Sequence, residues 1–135
     1  RCCDYPDTAY PVAQAVSTGE AESGILICGT GIGMSITANK FKGIRAALVH
    51  DTIGAQIARR YTDANVLCIA GELLGTATIE QIIHAWLSSE FEGGRHTRRL
   101  DKIQAIERGL PPSSVDQASV AWADALQAKP SSPSM

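Results

Sequence analysis

The clearest candidate for chemistry in this sequence is a cysteine followed by a glycine-rich loop. Cys28 ends an apolar run, and the loop 29–33 (GTGIG) leads from it into a helical pattern. Alternating glycines allow a sharp turn that leaves backbone N–H groups exposed, and a helix N-terminus adds positive potential. Such groups stabilise a thiolate, which could take a proton from carbon while the loop holds the resulting oxyanion. A cysteine at a strand end can equally be a small buried apolar residue, so the spacing leaves both interpretations open.

The loop does not match the common nucleotide-binding motifs. No Gly-Lys-Ser/Thr follows it, as a P-loop requires, and its third glycine comes one residue too early for G-x-G-x-x-G. A nucleotide is therefore not the favoured ligand.

A second candidate is a basic pair near the start of a predicted helix. Arg95 and Arg99 are four residues apart, which places them on one helix face. Two guanidinium groups on one face suit a phosphate dianion. The helix dipole disfavours cations at this end, which indicates an anionic partner; a solvated basic surface is the alternative interpretation.

The remaining sulfur and imidazole groups do not form a metal-binding pattern. No cysteine pair has C-x-x-C spacing, and the histidines lack neighbouring carboxylates except where Asp51 follows His50. We therefore predict no metal and no disulfide framework, and a reducing, cytoplasmic location. We expect His96 at the surface or behind the site. The residues concerned are Cys2, Cys3, Cys28, Cys68, His50, His84 and His96.

Composition excludes several classes of protein. The 135 residues are enough for one domain, and 44% of them are hydrophobic. A net charge of −2 argues against a general nucleic-acid binder, and 5% aromatic residues are too few for a base-stacking surface. No apolar run is long enough to span a membrane.

The elements that must position these residues alternate between strand and helix. Apolar runs at 24–28, 44–49 and 65–70 predict strands that are covered on both faces. Helical patterns occupy 8–17, 52–61, 77–87 and 95–108, with Pro11 expected in the first turn. This alternation predicts a parallel α/β sheet with helices on both faces. Such sheets usually have more than three strands, so we expect a further strand–helix–strand unit before Arg1.

Six motifs in this order resemble the ribose-5-phosphate isomerase B group, which belongs with the galactose-6-phosphate isomerase subunits. The resemblance covers about residues 4–108 with matching spacing. The motifs are Asp4-Tyr5-Pro6, Ile27-Cys28-Gly29-Thr30-Gly31-Ile32-Gly33, Ala38-Asn39-Lys40, Gly43-Ile44-Arg45-Ala46, Asp63-Ala64-Asn65-Val66 and Phe91-Glu92-Gly93-Gly94-Arg95-His96.

The resemblance implies a Rossmann-like, three-layer α/β/α fold with a five-stranded parallel sheet. It implies a homodimer or homotetramer with active sites between subunits. The implied reaction interconverts ribose 5-phosphate and ribulose 5-phosphate through an enediolate, without metal or cofactor. Residues 1–108 would form this domain, and 109–135 a Pro/Ser-rich extension. Two interpretations of this extension remain open. It forms either a short helix over 114–128, which includes Trp122, or a loosely ordered tail.

The resemblance also implies a role for each residue of the site. Cys28 would be the base that moves the proton between C1 and C2, and Thr30 would assist at the sugar ring. Tyr5 would line the sugar site, while Arg95 and Arg99 would bind the phosphate. The enediolate oxygen would be held by backbone N–H groups of Gly29, Gly31, Ile32 and Gly33.

The sequence departs from the family pattern at three places. The family's early Asp-His pair would precede Arg1, Tyr61 replaces the ring-opening histidine, and Glu72 replaces an arginine. Tyrosine is a weaker acid than imidazolium, so opening of a pentose ring should be impaired unless His50 or His96 substitutes. A tetrose phosphate forms no stable furanose and would need no such acid. The alternatives are therefore an isomerase of a tetrose or hexose phosphate, or a non-catalytic sugar-phosphate-binding subunit.

Overall fold

The computed structural model describes residues 4–116, in which helices and strands alternate up to residue 87 before a further helix follows. The chain divides into two units, residues 1–93 and residues 94–135. The first unit contains the sheet, and the second contains the basic pair of the last predicted helix.

The sheet is parallel, as predicted, with the strand order β1-β3-β2. Strand β1 is Gly24–Cys28, β2 is Ala46–Leu48 and β3 is Val66–Ala70. Every residue of β3 is buried, which confirms a strand covered on both faces. Strands β1 and β2 also contribute residues to both faces, but they lie at the edges of this sheet and are only partly buried. Ile27 of β1, for example, is 47% exposed.

Two apolar cores, one on each face of the sheet, give the first unit three layers. Helices α1 (Tyr5–Ser17) and α2 (Ile32–Ala38) pack on one face, where they meet Leu26 and Cys68. Helices α3 (Thr52–Thr62) and α4 (Thr76–Leu87) cover the other face, where they meet Leu67 and Ile69. The predicted α/β/α arrangement is therefore confirmed. The described residues supply three of the five strands that the resemblance implies.

Helix α1 begins earlier than predicted, because Pro6 rather than Pro11 occupies its first turn. Proline suits the start of a helix, where an N–H group has no partner in any case. Pro11 instead lies inside the helix on its exposed side. The buried side, which carries Ala9 and Ala13, packs on the sheet and compensates for the backbone hydrogen bond that Pro11 cannot make.

Two asparagine side chains fix the approach to β2, which is shorter than the predicted 44–49. Asn39 bonds to both backbone groups of Ala46, with its Oδ1 accepting at 2.8 Å and its Nδ2 donating at 3.0 Å. Asn65 accepts from the Arg45 N–H at 2.7 Å and donates to the Gly43 carbonyl at 2.8 Å. These side chains replace bonds of the strand ladder, so both asparagine motifs have structural roles.

The second unit begins with helix α5, Arg95–Glu107. Arg98 and Lys102 on this helix bond to the carboxylate of Asp116, and residues 113–116 are helical. The hydrogen bond from Arg98 holds the pKa of Asp116 below its ordinary value. Most of the helix predicted over 114–128, with Trp122, lies outside the described residues, as do Cys2 and Cys3.

Candidate functional site

Cys28 lies at the carboxyl end of β1, where the chain turns into α2. Its Sγ accepts a hydrogen bond from the Gly31 N–H at 3.1 Å, and the side chain is only partly buried. The sulfur therefore has a donor and partial access to solvent, and it is not the fully enclosed apolar residue of the alternative interpretation.

A second thiol, Cys68, lies on the same face of the sheet. Leu26 pairs with Cys68 in the β1–β3 register, so Cys28 is two residues further along the neighbouring strand. Burial raises the pKa of Cys68 to about 12, and the charge of Cys28 acts in the same direction, while a hydrogen bond with Ser35 opposes it. Cys68 therefore stays a neutral thiol near pH 7. Of the two cysteines that the structure describes, Cys28 therefore remains the candidate for a base.

Gly31 fixes the shape of the loop that follows Cys28. Its φ is +74°, and a Cβ there would lie 2.5 Å from Leu48 Cδ1 and 3.0 Å from the Ile69 carbonyl carbon. A side chain would meet both a strained backbone and the ends of the strands. The loop can therefore pass this close to the sheet only with glycine at this position.

The loop contains both engaged and unengaged backbone donors. The Gly31 N–H bonds to sulfur, and the Ile32 N–H donates to Thr30 Oγ1 at 3.3 Å. Within residues 4–116, the N–H groups of Gly29, Thr30 and Gly33 have no acceptor. These three donors, close to a candidate base, are available to an oxygen that gains negative charge.

Tyr5 is brought to this loop from the first residue of α1. A Cβ on Gly33 would overlap the Tyr5 ring, so the ring packs directly on the glycine backbone. The side chain remains 45% exposed. The structure thus places Tyr5 beside the loop, where the resemblance puts a residue that lines the sugar site.

Glu72 meets the same loop from the end of β3. The Gly71 N–H donates to the Cys28 carbonyl at 2.7 Å, and the Glu72 N–H donates to the Gly29 carbonyl at 3.1 Å. The Glu72 carboxylate atoms lie 3.0–3.3 Å from the point that a Cβ on Gly29 would occupy. Sequence reasoning noted the charge of Glu72 but missed this contact. The position of Glu72 directly after a strand could have predicted the contact, because the carboxyl ends of neighbouring parallel strands lie at the same edge of the sheet.

Tyr61 lies towards the opposite ends of the strands. It is near the end of α3, which runs back from the carboxyl end of β2 to the amino end of β3. The length of a five-residue strand, about 16 Å, therefore separates the strand ends near Tyr61 from those near Cys28. Arg60 lies over the Tyr61 ring and forms an ion pair with Glu92. Within one chain the structure does not bring Tyr61 together with Cys28.

The histidine positions separate into exposed and buried ones. His50 is exposed after β2, and the adjacent Asp51 caps α3 by accepting from the Gly54 N–H at 2.6 Å. His84 is exposed on α4. His96 is 6% exposed, so the expected surface position is wrong for it.

The basic pair lies on the second unit, whereas Cys28 belongs to the first. Arg95 and Arg99 are exposed in the first two turns of α5. Neither forms an ion pair with any residue in 4–116, although Arg98 between them is paired with Asp116. The pair therefore presents two guanidinium groups that can bind an anion.

The described part of the chain has neither a metal-binding cluster nor a membrane-spanning helix. Residues 4–116 contain no group of three His, Cys, Asp or Glu side chains that could hold a metal ion. None of their helices has the length and apolar character that a membrane crossing requires.

Comparison with known proteins identifies the family. The family model for Ribose/Galactose Isomerase matches residues 1–103. Ribose-5-phosphate isomerase B of Escherichia coli is 49% identical over 105 residues, covering 78% of this chain and 70% of that protein. D-erythrulose-4-phosphate isomerase of Pectobacterium atrosepticum is 50% identical over 103 residues, covering 76% of this chain and 68% of that protein.

A solved structure agrees with these sequence matches. The ribose-5-phosphate isomerase B of Clostridium thermocellum superposes with a TM-score of 0.79 at 45% identity, covering 81% of this chain and 74% of that one. The match in fold accompanies the match in sequence, so it reflects common descent rather than shared architecture alone. The chain therefore belongs to the Ribose/Galactose Isomerase family, whose members are sugar-phosphate isomerases.

Proposed function

We propose that this protein interconverts ribose 5-phosphate and ribulose 5-phosphate, with Cys28 as the general base. The observation that carries the proposal is the partly exposed Cys28 sulfur, which accepts the Gly31 N–H at 3.1 Å beside unengaged loop donors. The similarity to ribose-5-phosphate isomerase B of Escherichia coli supports the choice of a pentose phosphate.

In the direction from aldose to ketose, the Cys28 thiolate takes the proton from C2. The electrons of that C–H bond form the C1–C2 double bond, and negative charge develops on the C1 oxygen. The resulting Cys28 thiol then returns its proton to C1. A second proton passes from the C2 oxygen to the C1 oxygen, so that C2 becomes the ketone carbon. General-base catalysis contributes about 10²–10⁴-fold to such a step. A single oxyanion donor is worth on the order of 10²–10³-fold.

The glycine loop stabilises the enediolate in this mechanism. The unengaged N–H groups of Gly29 and Gly33 are candidates to donate to its oxygen, whereas the Gly31 N–H supports the thiolate. Thr30 and Tyr5, both exposed at the loop, are proposed to contact the sugar. The protons move within one substrate molecule, so the reaction consumes no external oxidant or reductant.

Arg95 and Arg99 are proposed to bind the phosphate. Neither has an ionic partner within residues 4–116, and a phosphate dianion would supply one. Binding energy from a group remote from the reacting carbons lowers the barrier when it holds those carbons against the base.

A second copy of the chain is proposed to complete the site, in a homodimer or homotetramer. Tyr61, which takes the place of the family's ring-opening residue, lies towards the opposite end of the strands from Cys28. Only another copy could therefore bring a Tyr61 side chain to this Cys28.

The proposal is tested by following ketose formation from ribose 5-phosphate. We expect Cys28→Ser to lose turnover, because a serine hydroxyl ionises far less readily than a thiol and is a poor base. Cys68→Ala is the matched control, since it removes the other described thiol, and it should keep turnover. Undiminished turnover in Cys28→Ser would overturn the role of Cys28. Binding of sugar phosphates without any turnover would favour a non-catalytic subunit.

A four-carbon substrate is the second candidate. Tyr61 is a poor acid for opening a pentose ring, and an aldotetrose 4-phosphate cannot close a furanose ring. The relative from Pectobacterium atrosepticum, which is 50% identical, is a D-erythrulose-4-phosphate isomerase. A panel of tetrose, pentose and hexose phosphates distinguishes the two candidates by kcat/KM. The tetrose proposal fails if ribose 5-phosphate is the best substrate.

A further inference from the structure

Glu72 places a carboxylate on Gly29, the residue that follows the proposed base. Two backbone hydrogen bonds join Gly71 and Glu72 to Cys28 and Gly29. No residue in 4–116 forms an ion pair or a side-chain hydrogen bond with this carboxylate. The backbone bonds fix the position of the residue, and no cation in 4–116 pairs with its charge.

Such a carboxylate acts differently on neutral and charged groups that approach Cys28. It repels an anion, because two like charges a few ångströms apart at a protein surface interact unfavourably. It accepts a hydrogen bond from a hydroxyl group, because an ionised carboxylate is an acceptor at both oxygens. The two effects together distinguish the two ends of a sugar phosphate.

We propose that Glu72 is a specificity-determining residue that admits an uncharged, hydroxyl-bearing end of the substrate to Cys28 and rejects an end that carries a phosphate or carboxylate group. The proposal deepens the isomerase function and rests on it for the identity of the substrate. We expect ketoses phosphorylated at C1 and sugar acids to bind poorly at Cys28.

The test compares the reaction of Cys28 with a neutral and an anionic alkylating reagent. The full chain carries Cys2→Ser and Cys3→Ser, and the rate constants for iodoacetamide and iodoacetate are measured at Cys28 by peptide mass spectrometry. Cys68 is fully buried and does not compete. We expect Glu72→Gln to raise the ratio of the iodoacetate rate to the iodoacetamide rate by about three- to tenfold.

The ratio isolates the charge effect from other changes. A change in the thiolate fraction of Cys28 affects both reagents equally and cancels. Glu80→Gln, at an exposed position on α4, is the matched control and should leave the ratio unchanged. The effect of Glu72→Gln should also shrink in about 1 M salt, which screens exposed charges. An unchanged ratio in Glu72→Gln, or an equal rise in Glu80→Gln, would overturn the proposal.

A substrate measurement separates this inference from the proposed function. Ribulose 1,5-bisphosphate should compete with ribose 5-phosphate at least about threefold better in Glu72→Gln than in the unchanged protein. If the unchanged protein turns over ribose 5-phosphate but neither readout responds to Glu72→Gln, the inference fails and the function stands. If the alkylation ratio responds but no sugar phosphate is turned over, the function fails and the charge filter at Cys28 stands.

Discussion

Replacing Gly31 by alanine should destabilise the protein more than an ordinary glycine substitution. The residue has a φ of +74°, and alanine in this left-handed region costs roughly 1–2 kcal/mol. The new Cβ would also lie 2.5 Å from Leu48 Cδ1 and 3.0 Å from the Ile69 carbonyl carbon. Because the Ile69 atom is backbone, it cannot swing away, and overpacking of this kind costs typically about 1–3 kcal/mol. The free energy of unfolding should therefore fall by roughly 2–5 kcal/mol.

Urea unfolding of Gly31→Ala and Gly19→Ala separates the two contributions. Gly19 has a φ of +82°, and a Cβ there would meet nothing within 4 Å. It should show the backbone cost alone, roughly 1–2 kcal/mol. The difference between the two variants measures the packing cost at Gly31. Equal destabilisation would refute the reasoning, because it would mean that the loop can move away from the strands without loss.

The same substitution should alter the chemistry of the sulfur. Moving residue 31 weakens the N–H bond to Cys28 Sγ, which is 3.1 Å long in the unchanged protein. We therefore expect slower alkylation of Cys28 by iodoacetamide at neutral pH in Gly31→Ala than in Gly19→Ala. A rate that is the same in both variants would show that this N–H does not stabilise the thiolate.

Three further predictions concern the ring on the loop, the buried thiol and the basic pair. Gly33→Ala should lower the free energy of unfolding, because the new Cβ displaces the Tyr5 ring. In a Tyr5→Ala background the same change should be neutral or stabilising by up to about 1 kcal/mol, because alanine favours a helix. A double-mutant cycle in urea measures the difference, and a similar loss of stability in both backgrounds would contradict the prediction. Cys68 has its pKa raised from 9.0 to about 12, so its contribution to stability is complete below pH 9 and is lost as the pH rises towards 12. Above about pH 8, the urea midpoint of unfolding should fall less steeply with pH in Cys68→Ala than in the unchanged protein. An identical slope in both proteins would count against the raised pKa of Cys68. Replacing Arg95 and Arg99 by alanine should raise KM for ribose 5-phosphate at least about tenfold, since charge-assisted bonds to phosphate are strong. Iodoacetamide should still alkylate Cys28 at an unchanged rate. An unaltered KM would show that the pair does not bind the phosphate.

Local patterns in the sequence were enough to locate most helices and strands. Helices α3, α4 and α5 begin and end within one residue of the predicted 52–61, 77–87 and 95–108. The run at 24–28 is β1 without change. These elements follow from hydrophobic periodicity and from residues such as Asp51, whose capping bond to the Gly54 N–H involves near neighbours only.

Strand ends and burial needed long-range information. Which strand lies in the middle depends on pairing, and only β3 among the described strands has a neighbour on each side. The apolar runs indicate cover on both faces, but they do not distinguish the central strand from the partly buried edge strands. The start of β2 is held by side-chain bonds from Asn39 and Asn65, which lie in other parts of the chain. The start of α1 was misplaced because two prolines compete for its first turn, and packing of Ala9 on the sheet decides between them.

For the candidate site, the sequence by itself determined that Cys28 and the glycine loop stand together, because they are adjacent in the chain. Tertiary structure decided what surrounds them. It brought Tyr5 onto Gly33 and the Glu72 carboxylate onto Gly29, and it placed Tyr61 towards the far end of the strands. These contacts join residues that are many positions apart, and they arise from parallel strand pairing and from the crossover helices, which no local pattern specifies.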